Sequence, residues 1–192
     1  MRMRVWVCVG LATLALCAGA AVASAAPAAS SPIAGLPSDG TIEVFVTVGT
    51  GTGGTIVIAG AIGDHGKVLT VGANGKPNAN GHYVDVTLQK GTFKIDKTAL
   101  DKASDDAPPT VMGATTCSFG GSATAPVTIS DGTGDYTGIS GTVKVTLTFG
   151  GDLPVYATGK HKGKCNMSDN AEPLAQFGSA VGRGTVKFVR TG

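Results

Sequence analysis

Residues 139–149, ISGTVKVTLTF, alternate apolar and polar side chains, with Val143, Val145, Leu147 and Phe149 on one face and Thr142, Lys144, Thr146 and Thr148 on the other. A period of two marks a half-buried strand, because successive side chains of a pleated chain point to opposite sides. The same period runs through TIEVFVTV (41–48), with Ile42, Val44, Val46 and Val48 together, and through HYVDVTLQ (82–89), with Val84, Val86 and Leu88 together. TIVIAGAI (55–62) is a nearly continuous apolar run, which predicts a strand covered on both sides. VLTV, TFKI, the segment around Cys117, APVTIS, VYATGKH and GTVKFV are shorter candidates. About eight to ten short strands between glycine-rich turns predict an all-β domain, residues 41–192. It is expected to be a single antiparallel β-barrel of about eight strands with one short helix; a β-sandwich is the alternative. The helix is expected over Lys97 to Ala103, capped by Asp96 and ended before Pro108 and Pro109.

The N-terminus carries the basic MRMR, an apolar run from Val5 to Ala23 and the small residues Ala23, Ser24 and Ala25. This predicts a signal peptide over residues 1–25, cleaved after Ala25, for a secreted or cell-envelope protein exported through the Sec pathway. The alternative is an uncleaved membrane anchor, since the run approaches the length of a bilayer span. Residues 26–40, rich in Ala, Pro and Ser, are expected to form a flexible linker. Cleavage removes Arg2 and Arg4, so the fifteen basic residues become thirteen and equal the thirteen acidic ones. Zero net charge gives no general affinity for nucleic acid or for an anionic membrane. It also leaves Cys117 and Cys165 as the two cysteines of the mature chain. In an oxidising compartment they are expected to form a disulfide, with free thiols or a metal pair as the alternative.

Catalytic signatures are scarce. There is no G-x-S-x-G and no H-E-x-x-H, and Glu43 and Glu172 are the only glutamates. Gly49 to Gly54 spells G-x-G-x-x-G, but the chain continues into the strand pattern TIVIAGAI where a dinucleotide site needs a helix N-terminus, so a hairpin turn is expected. His65, His82 and His161 lack ligand spacing, so neither metal nor cofactor is expected. Asp105 and Asp106 read as a solvated pair, and KHKGK (160–164), with Arg183, Lys187 and Arg190 further on, as an anion-binding patch or a charged edge strand.

The most ligand-like feature is an acid beside an aromatic on two strands: Glu43 with Phe45, and Tyr83 with Asp85. If these two faces meet inside a barrel they make a pocket with a few polar groups; otherwise they form an exposed outer face. The chain is expected to hold a small apolar ligand without catalysing a reaction on it. A cell-envelope interaction protein with a filled barrel is the second reading, and a cyclase or isomerase the third.

The stretch DGTGDYTGISGT (131–142) predicts a bending device, with Gly134 at positive φ and Gly138 and Gly141 relieving crowding. Its Gly132, Thr133, Gly134, Tyr136, Gly138 and Gly141 resemble the G-T-G-x-[YF]-x-G-x-x-G segment of the dirigent and allene oxide cyclase β-barrel superfamily. That resemblance implies the barrel fold and, for the cyclases, ring closure of an epoxide inside it. The chain also resembles a group of secreted mycobacterial and related actinobacterial proteins, through GAIGDHGK, APPTVM, TTC, HKGKCNMS and PLAQF. This second resemblance implies export and brings no activity with it.

Overall fold

The alternating segments become the staves of a ring. The computed structural model describes residues 35–48, 52–107, 110–113, 115–168 and 171–189; the expected signal segment lies outside them. The strands are β1 (Gly40–Val48), β2 (Gly53–Gly60), β3 (Asp64–Val71), β4 (Tyr83–Leu88), β5 (Thr92–Asp96), β6 (Thr110–Gly113), β7 (Ser118–Ser130), β8 (Ile139–Asp152) and β9 (Ala175–Phe188). One α-helix among the described residues, α1 (Thr98–Asp106), lies between β5 and β6, and a short 3₁₀ turn, Gly134–Tyr136, lies between β7 and β8. Strands β1 to β5 form an antiparallel meander, as do β7 to β9. The two meanders join at β1 and β9, from Gly40↔Val186 to Val48↔Gly178. They close where β5 meets β7 at Lys94↔Ser130, Ile95↔Ile129 and Asp96↔Thr128. The result is the closed eight-stranded antiparallel barrel expected from the sequence, with β6 paired to β7 outside the ring. Closure leaves no free edge around the ring, which removes the hazard of edge-to-edge pairing.

Alternation decides which side chains fill the interior. Ile42, Val44, Ile56, Ile58, Val86, Val127, Val143 and Val145 are buried, while their sequence neighbours point outward. TIVIAGAI departs from expectation here: Ile56 and Ile58 are buried, but Val57 is 52% exposed. A barrel wall one sheet thick has one inner face, and among the described residues nothing covers Val57 on the outside of β2. Val57 instead stands in register with Phe45, which is also in register with Val181, so three exposed apolar side chains sit side by side on the outer wall.

Strand direction gives the barrel two ends. At one, the turns after β2, β4 and β7 converge and close it. Residues 37–39, expected within the linker, lie against this end: Pro37 is buried, Ser38 N donates to Ala61 O (3.1 Å) and Phe188 N donates to Asp39 Oδ1 (2.7 Å). At the other end α1 covers part of the opening. It runs one turn's length past the expected Ala103, and Asp96 Oδ1 accepts from both N and Oγ1 of Thr98 at its start (2.9 and 2.6 Å). β7, β8 and β9, with 13, 14 and 14 residues, outrun the ring on this side. The disulfide Cys117–Cys165 ties the connection after β8 to the start of β7. VYATGKH lies in that connection and is not a strand: after a lone bridge Val155↔Cys165 the chain folds back, with Tyr156 N donating to Lys164 O (2.9 Å).

Candidate functional site

The barrel interior is not completely filled. A cavity of about 250 Å³ runs from mid-barrel to the end beneath α1. Its walls are aliphatic, from Val44, Ile58, Val127 and Val143 in the depth to Val46, Leu147 and Ala180 nearer the opening, with Phe93 the one ring among them. Polar groups reach it only from the rim: Thr52, Thr70, Lys97 and Asp101. An eight-stranded barrel has an interior just wide enough to be filled by side chains or to hold one small ligand. Valine, alanine and Gly182 along β1, β8 and β9, in place of larger residues, leave the space.

The rim is built on α1 and the loop before β4. Lys97 Nζ donates to Asp101 Oδ1 at 2.5 Å, one helical turn on, and both side chains are mostly buried, at 19% and 26% exposure. The other oxygen of Asp101 meets His82 Nδ1 at 2.8 Å. Lys97 N also donates to His82 O (2.9 Å), which fixes the helix start against the strand entry. Leu100, buried, points from the same helix into the opening.

The opposite end is sealed by a polar plug. Asp64 is 7% exposed, yet its carboxylate accepts from Tyr136 Oη (2.5 Å), His65 N (2.7 Å) and Lys90 N (3.2 Å). Burial pushes the Asp64 carboxyl up, but these donors, with the backbone of Gln89, outweigh it and hold the group below the usual carboxylate range. Burial, the bond to Asp64 and its charge drive the Tyr136 phenol well above its usual range. Tyr136 also meets Phe93 edge to face, ring centroids 5.7 Å apart. With every buried polar side-chain atom among the described residues satisfied, this pair reads as structure and not as a reacting centre.

The four side chains expected to bind ligand are not in the cavity. Glu43 and Phe45 lie on the outer face of β1, where Glu43 faces Arg183 Nη1 at 3.6 Å. Tyr83 and Asp85 lie on the outer face of β4, with Lys94 Nζ 5.9 Å from the Tyr83 ring centre. The inner positions of both strands belong to Ile42, Val44, Val84 and Val86, so strict alternation turns the acid and aromatic outward. β2 and β3 also separate the two pairs. The cavity is instead lined by residues that looked like core, and its polar rim was missed. The Lys97 to Asp101 spacing is legible in the sequence as a helical i, i+4 pair. The approach of His82, nineteen positions earlier, is not.

Asp105 and Asp106 are exposed, as their solvated reading expects, whereas KHKGK forms a turn and not the edge strand that was one reading of it. Asp106 Oδ2 accepts from Lys102 Nζ at 2.8 Å on the exposed side of α1. Lys160, His161, Lys162 and Lys164 are exposed on the disulfide-tied connection, away from Arg183 and Lys187 on β9; Arg190 lies outside the described residues. No cluster of three metal-ligating side chains occurs among the described residues. Residues 49–51 of the G-x-G-x-x-G match also lie outside them, but Gly54 opens the pairing of β2 with Val48 of β1, as a hairpin requires. Compared with protein-family models, curated proteins and solved structures, the chain matches none.

Proposed function

We propose that the protein is an exported binding protein that holds a small apolar molecule inside its barrel. The observation that carries this reading is the aliphatic cavity of about 250 Å³, sealed at the Asp64–Tyr136 end and reached past α1 at the other. An apolar cavity of about 150 Å³ stays dry and takes up benzene, so this one has room for a body of about ten non-hydrogen atoms. It is smaller than the roughly 300–1,000 Å³ of drug-sized sites. No titratable side chain lines it below the rim, which favours holding a molecule over transforming it. A closed barrel with an interior chamber is also the fold that the dirigent and allene oxide cyclase resemblance implies.

Mass spectrometry of organic extracts from the protein purified out of its native culture medium tests the reading. A co-purifying small molecule, released on unfolding and absent from a variant whose cavity is filled by Val84→Phe, is the expected result. Clean extracts, together with no uptake of benzene by the protein, would instead point to a barrel that serves as an inert core.

A further inference from the structure

We infer that the molecule held in the barrel is amphipathic, with a carboxylate head anchored at the rim by Lys97. This rests on the ligand-binding reading above and adds a chemical class to it. The cavity is polar at one end only, so a ligand with a polar group has one orientation: tail toward Val127 and Val143, head toward α1. The rim presents charged N–H donors not yet engaged. Asp101 has a donor on each oxygen already, Lys97 on Oδ1 and His82 on Oδ2. An ammonium ion has three N–H donors, and the bond to Asp101 engages one, leaving two at a position that lines the cavity. The Thr52 and Thr70 hydroxyls, also on the rim, can each donate one more.

An acceptor head therefore fits, whereas an ammonium head would meet the like charge of Lys97 at the rim, and Asp101 already shares its charge with Lys97 and His82. Among acceptors, a carboxylate gains most from Lys97, since charge-assisted hydrogen bonds are roughly twice as strong as neutral ones. Its repulsion by Asp101 is offset by the lysine between them. Lys97 is held by its own bond to Asp101 and is four-fifths buried, so little ordering remains to be done on binding. With room for about ten non-hydrogen atoms, an eight-carbon acid matches in size.

The test is a panel of equal-sized probes (octanoate, 1-octanol and octylamine), with benzene as the headless control. Each is titrated into the mature protein while the methyl resonances of the cavity valines are followed. Octanoate is expected to bind about tenfold more tightly than octanol, and octylamine most weakly. Lys97→Met should bring octanoate down to the level of octanol while leaving benzene unchanged, and Lys97→Arg should restore the preference. Equal binding of octanoate and octanol, tightest binding of octylamine, or indifference of octanoate to Lys97→Met would overturn the head-group assignment and leave the cavity reading standing. If no probe, benzene included, moves the cavity methyls, both fall. Should Lys97→Met not fold, as judged by its thermal melt, Lys97→Gln and the wild-type panel decide the matter.

Discussion

Asp64 and Tyr136 are 72 positions apart and meet at the sealed end of the barrel. Tyr136→Phe keeps the ring against Phe93 but removes one donor from a buried carboxylate. The expected cost is about 1–3 kcal/mol, read as a lowered midpoint in chemical denaturation. The sign of the pH dependence follows from the directions of the two shifts. The Asp64 carboxyl is held low in the fold, so its contribution is complete above the ordinary carboxylate range and is lost as pH falls through the lowered value. The Tyr136 phenol is held high, so its contribution is complete below about pH 10 and is lost as pH rises through the raised value. Melts of wild type and Tyr136→Phe should therefore converge in strong acid and stay apart near neutrality. The glycine-rich stretch beside Tyr136 was legible in the sequence as a bend. Gly134 and Gly138 have φ of 60° and 76°, and a Cβ on Gly138 would sit 2.2 Å from Val189 O. Gly138→Val should cost about 1–3 kcal/mol. Two polar neighbours also carry structure: Asp131 holds φ of 56°, and Thr133 Oγ1 accepts from Thr92 N at 3.2 Å. Asp131→Gly should consequently melt at least as high as Asp131→Ala, a left-handed position being cheaper for glycine. A spacing of side chains in sequence carries no record of φ or of a partner on another strand, so neither role can be read there.

At the scale of elements, most strands were readable because they obey one rule, alternating an inner face with an outer one; β2, nearly continuous in apolar residues, was readable as a strand but not in its outer face. VYATGKH failed that rule, having polar and glycine residues on both faces, and it folded as a turn held by a disulfide. Cys117→Ser removes a cross-link spanning 48 residues, worth about 4 kcal/mol in the chain-entropy model. The loss should appear in the melting temperature, with limited proteolysis cutting first in the freed connection between β8 and β9. Helix α1 has a different task. Its Leu100 is 6% exposed and closes part of the cavity opening, so Leu100→Ala should cost about 2–5 kcal/mol and widen the entrance. Its start depends on Asp96, whose carboxyl the Thr98 hydroxyl and backbone N–H hold below the usual range, so the helix end should fray as Asp96 protonates in acid. The position of α1 over the barrel opening, in contrast to its existence, depends on β5 closing against β7. That pairing spans only Lys94 to Asp96 and leaves no local mark in the sequence.

For the whole molecule, the barrel followed from strand count and alternation, whereas the space inside it did not. Whether an eight-stranded barrel is full depends on the summed volume of side chains from every stave, and no single segment reports that sum. The polar groups picked out from the sequence lie outside, because a strand with one buried face must send its charges outward. The groups that frame the opening come from the start of α1, from the residue before β2 and from the end of β3. Their identity as a rim appears only once the ring has closed beneath them. Benzene uptake tests most directly whether the barrel interior is hollow, dry and accessible. On titrating benzene into the mature protein, the methyl resonances of Val44, Val127, Val143 and Val145 should shift together and saturably, while those of Val57 and Val181 on the outer wall stay still. Cavity methyls that do not move at saturating benzene would mean that the interior is closed to ligands, and the binding function would have to be abandoned.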